Sequence, residues 1–194
     1  TVASLFQDSP RLTILINQIE QARAEIRQQQ EVEQYLAAAR QQMSEGKLIE
    51  PEGDNALTSY QEVLNRQDNA EATAGLLEIA SQFSVRAKQA MDNGDFREAV
   101  TLADNGLLAD PTNASLLDIQ RTSTDQLGAR DREIQSRLQL AQRLVNAGQY
   151  LPPGENALEE FRGVEGMDPG NAQAARGLYR LPDQVFEEAN RLRR

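Results

Sequence analysis

The chain carries one stretch that decides its fold, Glu50-Pro51-Glu52-Gly53-Asp54-Asn55-Ala56-Leu57. The stretch returns at residues 151–158 as Leu151-Pro152-Pro153-Gly154-Glu155-Asn156-Ala157-Leu158. A degenerate copy lies between the two, Gly94-Asp95-Phe96-Arg97-Glu98-Ala99-Val100. Each copy is followed, 13 or 14 residues after its alanine, by an Asn-Ala pair that begins at Asn69, Asn113 or Asn171. Such a recurrence is typical of a stacked array of helix pairs, which presents a surface more often than it performs chemistry.

Every conspicuous residue of the repeated stretch has a backbone role. Pro51 cannot continue a helix, Gly53 accepts a positive φ, and either Asp54 or Asn55 caps the next helix. A small alanine then lets two helices approach closely. A ligand loop is the alternative interpretation, and the backbone roles favour a turn.

Apolar residues recur at three- and four-residue spacing along most of the chain, which predicts helices and no strands. The expected helices cover about residues 10–26, 32–45, 55–66, 70–93, 96–109, 114–147, 156–164, 172–179 and 183–192. Asp8 or Ser9 is expected to cap the first helix. Two boundaries stay open: the first helix either ends or continues through Gln28–Gln30, and the long helix either bends, splits or continues near Gly128. Pro182 is expected to break the penultimate helix, and Asp183 is expected to cap the last one.

The middle copy resembles a tetratricopeptide repeat. It has the turn glycine, aromatic, small alanine, large apolar residue and closing proline of that family at Gly94, Phe96, Ala99, Leu107 and Pro111. The third copy matches at Gly148, Tyr150, Ala157 and Asp168-Pro169. The first copy matches at Gly46, Ala56 and Leu64 and lacks the closing proline.

The resemblance implies an all-α, TPR-like array of antiparallel helix pairs, an α-solenoid of about seven to nine helices. Three units are expected at about 31–69, 70–113 and 114–171 plus the following helix, so that the array covers 31–180. An amphipathic helix in 1–30 precedes them and a capping helix in 181–194 follows. The turn glycines are 48 and 54 residues apart, against 34 for a standard repeat. This lengthened variant is similar to repeat regions of membrane-anchored bacterial envelope proteins.

Composition narrows the range of partners. Thirty Asp and Glu against twenty Lys and Arg give a net charge of -10, which repels nucleic acid and anionic lipid and favours a partner with basic or neutral contact residues. The only dense basic cluster, Arg191–Arg194, is interpreted as a solvated helix end. No apolar run approaches the length that spans a bilayer. The chain opens at Thr1 rather than Met, so it is expected to be either a processed protein or an excised fragment, and any signal peptide or anchor would lie upstream. The resemblance to envelope proteins implies a periplasmic or other extracytoplasmic location, with a cytoplasmic one as the alternative.

The residues offer little for catalysis. The chain has no Cys and no His, which excludes thiolate nucleophiles, Ser-His-Asp triads and the commonest transition-metal ligands. Its glycines lack the spacing of a phosphate-binding loop. Adjacent carboxylates such as Glu159-Glu160 and Glu187-Glu188 point apart on a helix. No catalytic residue, cofactor or metal is therefore predicted.

Two weaker candidates have structural interpretations. Glu50, Glu52 and Asp54 flank Gly53 as in a calcium loop, but no bidentate Glu follows at the required interval. Tyr60 and Tyr150 are placed at core spacing, which favours packing over ligand stacking. Neither the three acidic residues nor the two tyrosines are therefore assigned as binding residues.

The sequence thus predicts a non-catalytic protein–protein interaction or scaffold module that binds a partner segment on a helical-repeat surface. The alternative is a structural role, in which the apolar stripe from Leu12 to Ile26 docks onto a second copy and makes an oligomeric spacer. Partner-binding residues stay unassigned.

Overall fold

The computed structural model describes residues 10–193, and in this range helix is the only regular secondary structure. The seven helices are α1 (Pro10–Ser44), α2 (Ala56–Leu64), α3 (Ala70–Asp92), α4 (Phe96–Leu107), α5 (Ala114–Asn146), α6 (Ala157–Met167) and α7 (Ala172–Leu192). The all-α expectation is confirmed for these residues, with no strand between 10 and 193.

Asparagine side chains begin the helices that follow the repeated stretches. Asn55 Oδ1 accepts the backbone N–H of Thr58 at 2.9 Å, and Asn156 Oδ1 accepts that of Glu159 at 3.0 Å. Of the two expected caps for α2, Asn55 is the one used, while Asp54 instead accepts a hydrogen bond from Gln42. The expected cap of α1, Asp8 or Ser9, lies outside the described residues.

Two open boundaries resolve in favour of long helices. α1 continues through Gln28–Gln30, where the three polar residues contain no helix breaker. α5 is one helix over its 33 residues and passes through Gly128 without a break.

The expected break at Pro182 is wrong. α7 runs through this residue to Leu192, so residues 181–192 are the second half of α7 rather than a separate helix, and Asp183 is no cap. Proline has a helical φ, and inside a helix it removes one backbone hydrogen bond and crowds the preceding turn. Here the neighbouring Leu181 is 2% exposed, and its burial in the core is consistent with the helix continuing at this point.

The chain divides into two compact units, unit 1 (residues 1–120) and unit 2 (residues 121–194). In unit 1, α2 packs against both α1 and α3, and α3 packs against α4. Alanine is the commonest residue of the core, and larger apolar side chains fill the space between the alanines. The large members are Leu36, Leu48, Leu57, Tyr60, Ile79, Phe83, Leu102, Leu116 and Ile119.

Unit 2 holds the larger part of α5 together with α6 and α7. A separate core joins these three helices, and α6 packs against α7. It contains Ile134, Leu138, Ala141, Leu144, Ala157, Phe161, Val164, Ala174 and Leu181.

The first turns of α1 have no buried residue between Arg11 and Glu31. Several large apolar side chains of this segment are about half exposed, namely Ile14, Leu15, Ile16, Ile19 and Ile26. Farther along, Gln28 Nε2 donates to the Arg66 backbone carbonyl at 2.7 Å, which ties the helix to the end of α2.

Candidate functional site

An open groove of about 430 Å³ lies within unit 2, between α5 and α7 and over one side chain of α6. We call it the Gln–Arg groove after the residues along its walls. It is lined by Gln135, Leu138, Gln139, Gln142, Val145, Phe161, Gln173, Arg176, Gly177, Arg180 and Gln184.

The floor of the groove is apolar and close-packed. Phe161 projects from α6 with 5% of its surface exposed, and Leu138 lies beside it. Gly177 of α7 covers the ring: a Cβ atom built on this glycine would lie 2.4 Å from Phe161 Cζ. Only glycine therefore lets α7 approach the ring so closely.

The walls are polar and built at helical spacing. Gln135, Gln139 and Gln142 follow one another at four and three residues on α5 and are all exposed. On α7, Gln173 and Gln184 flank two arginines. Each glutamine amide offers both a donor and an acceptor, so these side chains can bind the N–H and C=O groups of a peptide backbone.

The charged residues that line the groove are both arginines. Arg176 and Arg180 lie one helical turn apart on α7, and no lining residue is a carboxylate. Arg176 Nε donates to the Ala172 backbone carbonyl at 2.9 Å, which leaves its two η nitrogens for another acceptor. Within residues 10–193, no Asp or Glu forms an ion pair with either guanidinium, in contrast to Arg137 and Arg191 nearby in the sequence.

Unit 1 contains a second version of the same surface. Residues 32–79 match residues 134–181 at an offset of 101 or 102 positions. The identical pairs are Leu36/Leu138, Ala39/Ala141, Gly46/Gly148, Pro51/Pro152, Gly53/Gly154, Asn55/Asn156, Ala56/Ala157, Leu57/Leu158, Val63/Val164, Asn69/Asn171, Ala70/Ala172, Ala72/Ala174, Gly75/Gly177 and Leu76/Leu178.

The match extends to atomic contacts. In unit 1 the backbone N–H groups of Ala56 and Leu57 donate to the carbonyls of Lys47 and Leu48, both at 2.9 Å. In unit 2 those of Ala157 and Leu158 donate to Gln149 and Tyr150 at 2.9 and 3.2 Å.

The glycine-on-aromatic contact is repeated too. A Cβ atom on Gly75 would lie 2.3 Å from the Tyr60 ring, as a Cβ atom on Gly177 would approach Phe161. The floor of the groove is therefore conserved between the two units of this one chain.

The walls differ, because an ion pair crosses the surface of unit 1. Arg40 of α1 binds Glu71 of α3 through two hydrogen bonds, Nε to Oε1 at 2.6 Å and Nη2 to Oε2 at 2.7 Å. Arg40 Nη1 also binds Glu33 Oε1 at 3.0 Å. We call these contacts the Arg40 bridge; in unit 2 the same three positions are Gln142, Gln173 and Gln135.

The Arg40 bridge favours the charged forms of its members. Hydrogen bonds donated by Arg40 hold the pKa of Glu71 below its ordinary value, and the same bonds, accepted by Glu71 and Glu33, raise the pKa of Arg40. The Tyr60 hydroxyl has its pKa raised mainly by burial and further by the nearby Glu71. The bridge therefore stands near the aromatic floor of unit 1.

The residues singled out in the sequence take structural roles here. Asp54 accepts hydrogen bonds from Gln42 Nε2 at 2.9 Å and Lys47 Nζ at 3.4 Å, and residues 10–193 contain no cluster of three or more metal-ligating side chains. Tyr60 and Tyr150 both pack against the cores of their units. Arg191 binds Glu188 at 2.6 Å.

Sequence reasoning assigned no partner-binding residue and so missed the walls of the groove. A signal was present: aligning the two copies beyond their loops places glutamine or arginine in unit 2 wherever unit 1 has Glu33, Arg40, Glu71 or Glu78. Over the described part of the chain, no helix is both long and apolar enough to cross a membrane. Comparison with protein-family models, with curated proteins and with solved structures finds no match for this chain.

Proposed function

We propose that the protein is a non-catalytic interaction module that binds a segment of a partner protein in the Gln–Arg groove. The observation that carries the proposal is the difference between the two copies of one surface. In unit 1 the Arg40 bridge crosses this surface. In unit 2 the same positions are uncharged glutamines, which lie above an aromatic floor.

The groove has the ingredients of peptide recognition. Leu138 and Phe161 supply apolar area, and the amides along both walls supply donors and acceptors for a backbone without demanding one sequence. Helix-pair arrays use such surfaces to hold extended or helical segments. A TPR-like array is part of the proposal, supported by the asparagine caps, turn glycines and glycine–aromatic contacts that recur between the units.

A transplant of the Arg40 bridge tests the proposal. Gln142→Arg together with Gln173→Glu places the two halves of the bridge across the groove and leaves the net charge unchanged. Peptides are first selected from a display library on the wild-type protein, and their affinity for wild type and double variant is then compared. We expect the double variant to bind at least about tenfold more weakly, a change of about 1.4 kcal/mol.

The two single variants are the controls, because each adds a charge without completing the bridge. They should retain more affinity than the double variant, and circular dichroism should show an unchanged helical content. A selection that yields no peptide, or selected peptides that bind the double variant as well as wild type, would remove the groove as the binding site.

Self-association through α1 is a second candidate, favoured by the exposed apolar residues of its first turns. The stripe consists of Leu12, Leu15, Ile19, Ala22 and Ile26, which alternate at spacings of three and four residues. This is the spacing of a and d positions in a coiled coil.

Sedimentation at several protein concentrations tests this second candidate. A dimer that is lost on changing Leu15 and Ile19 to Asp supports assembly through α1, since a buried carboxylate in the seam is unfavourable. Ile14→Asp is the matched control, because this exposed residue lies off the stripe. A wild-type protein that stays monomeric at every concentration ends the idea.

The proposal extends to location in the extracytoplasmic part of a bacterial envelope protein. It rests on the resemblance of the lengthened repeat to repeat regions of such proteins. Fractionation of cells that express the native gene, followed by immunodetection in the periplasmic and membrane fractions, tests it; detection in the cytoplasm alone would contradict it.

A further inference from the structure

From the charge and spacing of the groove we infer that its ligand is an extended acidic peptide with two carboxylates two residues apart, Asp/Glu-x-Asp/Glu, bound along α7 by Arg176 and Arg180. This inference rests on the proposed function and names the chemistry of the partner.

The spacing of the two arginines sets the spacing of the carboxylates. Arg176 and Arg180 are four residues apart, which corresponds to about 6 Å along a helix and places both on one face. In an extended peptide, residues i and i+2 are about 6.6 Å apart and point to the same side, whereas residues i and i+1 point to opposite sides. An alternate pair of carboxylates thus matches the two guanidinium groups.

The charge of the groove selects for an acidic ligand. Its lining contains two arginines, five glutamines and no acid. A guanidinium binds a carboxylate through two parallel N–H···O bonds, and Arg176 keeps both η nitrogens available for them. The net charge of -10 suggested the opposite kind of partner, but it does not describe this surface.

The negative charge of the chain lies in unit 1. Residues 1–120 carry nine Lys and Arg against nineteen Asp and Glu, a difference of -10. Residues 121–194 carry eleven of each, so unit 2 is neutral as a whole and positive in its groove.

Two peptide isomers test the inference on the intact chain. Both are fluorescein-labelled, amidated at the C-terminus and built from Thr and Val with two Glu residues, which are placed at i and i+2 in one and at i and i+1 in the other. Fluorescence anisotropy measures their binding to wild type, Arg176→Gln, Arg180→Gln and the control Arg162→Gln, an exposed α6 residue outside the groove.

We expect the alternate isomer to bind wild type about tenfold or more tightly than the adjacent one, because only it can place both carboxylates on the arginines. Arg176→Gln and Arg180→Gln should each remove most of this preference, and Arg162→Gln should not. Equal binding of the isomers, or a preference that survives both groove substitutions, overturns the inference.

Two further outcomes separate this inference from the proposed function. Neutral or basic peptides selected on wild type that lose affinity for the Gln142→Arg/Gln173→Glu variant keep the binding module and refute the acidic ligand. Concentration-dependent self-association that both Arg176→Gln and Arg180→Gln abolish would identify the occupant as a second copy of this chain, and would likewise overturn the inference.

Discussion

The two units share one floor and differ in their walls. Tyr60 beneath Gly75 in unit 1 corresponds to Phe161 beneath Gly177 in unit 2, yet Arg40 binds Glu71 across the first surface and a pair of glutamines faces the second. The buried positions therefore determine how three helices pack. The exposed positions determine whether side chains of the protein itself pair across the resulting surface. Under the proposed function, folding and binding depend on different residues of the same helices.

The two walls differ in the side chains at corresponding exposed positions. The six exposed wall positions 33, 37, 40, 71, 74 and 78 in unit 1 correspond to the exposed positions 135, 139, 142, 173, 176 and 180 in unit 2. Exposed ion pairs such as those of the Arg40 bridge, and other exposed side chains, each usually contribute less than about 1 kcal/mol to stability. The walls can therefore be altered without altering the fold.

The largest expected effect is the creation of a second binding site. Replacing Glu33, Ala37, Arg40 and Glu71 by Gln, and Ala74 and Glu78 by Arg, gives these six positions of unit 1 the charged and amide wall residues of unit 2. The removed bridge no longer crosses the surface, so titration calorimetry with the alternate Glu peptide should show two bound peptides per chain instead of one.

The control for this conversion keeps the bridge. Ala74→Arg with Glu78→Arg alone adds the positive charges but leaves Arg40 bound to Glu71, and the stoichiometry should remain one. Two sites in this control would mean that charge decides binding and that the bridge is irrelevant; one site in the full conversion would mean that the two surfaces are not equivalent.

The next largest effect concerns the shared floor. Gly75→Ala and Gly177→Ala each insert a methyl group within 2.3–2.4 Å of an aromatic ring. We expect each to destabilise the protein by about 1–3 kcal/mol, the usual cost of overpacking a filled core. Urea unfolding followed by circular dichroism measures the loss.

Gly166→Ala supplies the matched substitution, because a Cβ atom there meets nothing within 4 Å. In this helical position alanine should leave stability unchanged or raise it by up to about 1 kcal/mol. If Gly75→Ala were damaging and Gly177→Ala harmless, the two floors would not be built alike.

A smaller effect is expected at the helix caps. Asn55 and Asn156 are nearly fully buried, and each donates a second hydrogen bond at 2.8 Å, to the backbone carbonyls of Pro51 and Gly154 respectively. Replacement by Ala removes the cap and leaves a buried carbonyl without this donor, so we expect losses of about 2 kcal/mol at both positions. Asn69→Ala, at a half-buried cap, should cost about 1 kcal/mol in the same unfolding assay. Equal losses at all three caps would contradict the role of the second bond.

The loops and helix starts were predictable because each depends on few neighbouring residues. Pro51, Gly53 and Asn55 have local conformational preferences strong enough to be recognised in isolation. Pro182 was misjudged for the converse reason. Its local preference is to end a helix, but Leu181 is anchored in the core of unit 2 and α7 continues.

The groove could not be predicted from one copy of the sequence. Exposed glutamines on a helix are ordinary, and their importance follows only from what faces them across the fold. Arg40 and Glu71 are 31 residues apart in the chain, so theirs is a tertiary contact that no local sequence pattern predicts. Comparison of the two copies reveals that both partners of this bridge are absent from unit 2.

The smallest expected effect is the pH response of the Arg40 bridge. Because Arg40 lowers the pKa of Glu71, the bridge contributes to stability above the ordinary glutamate pKa of 4.5 and loses that contribution as pH falls through the lower folded value. NMR titration of the Glu71 carboxyl group should give a midpoint below 4.5, and Arg40→Gln should return it toward 4.5. Glu71→Gln should match wild-type stability at low pH and be less stable than wild type only above this range. A wild-type midpoint at the ordinary value would show that the Arg40 bridge is too weak in solution to account for a difference between the two walls.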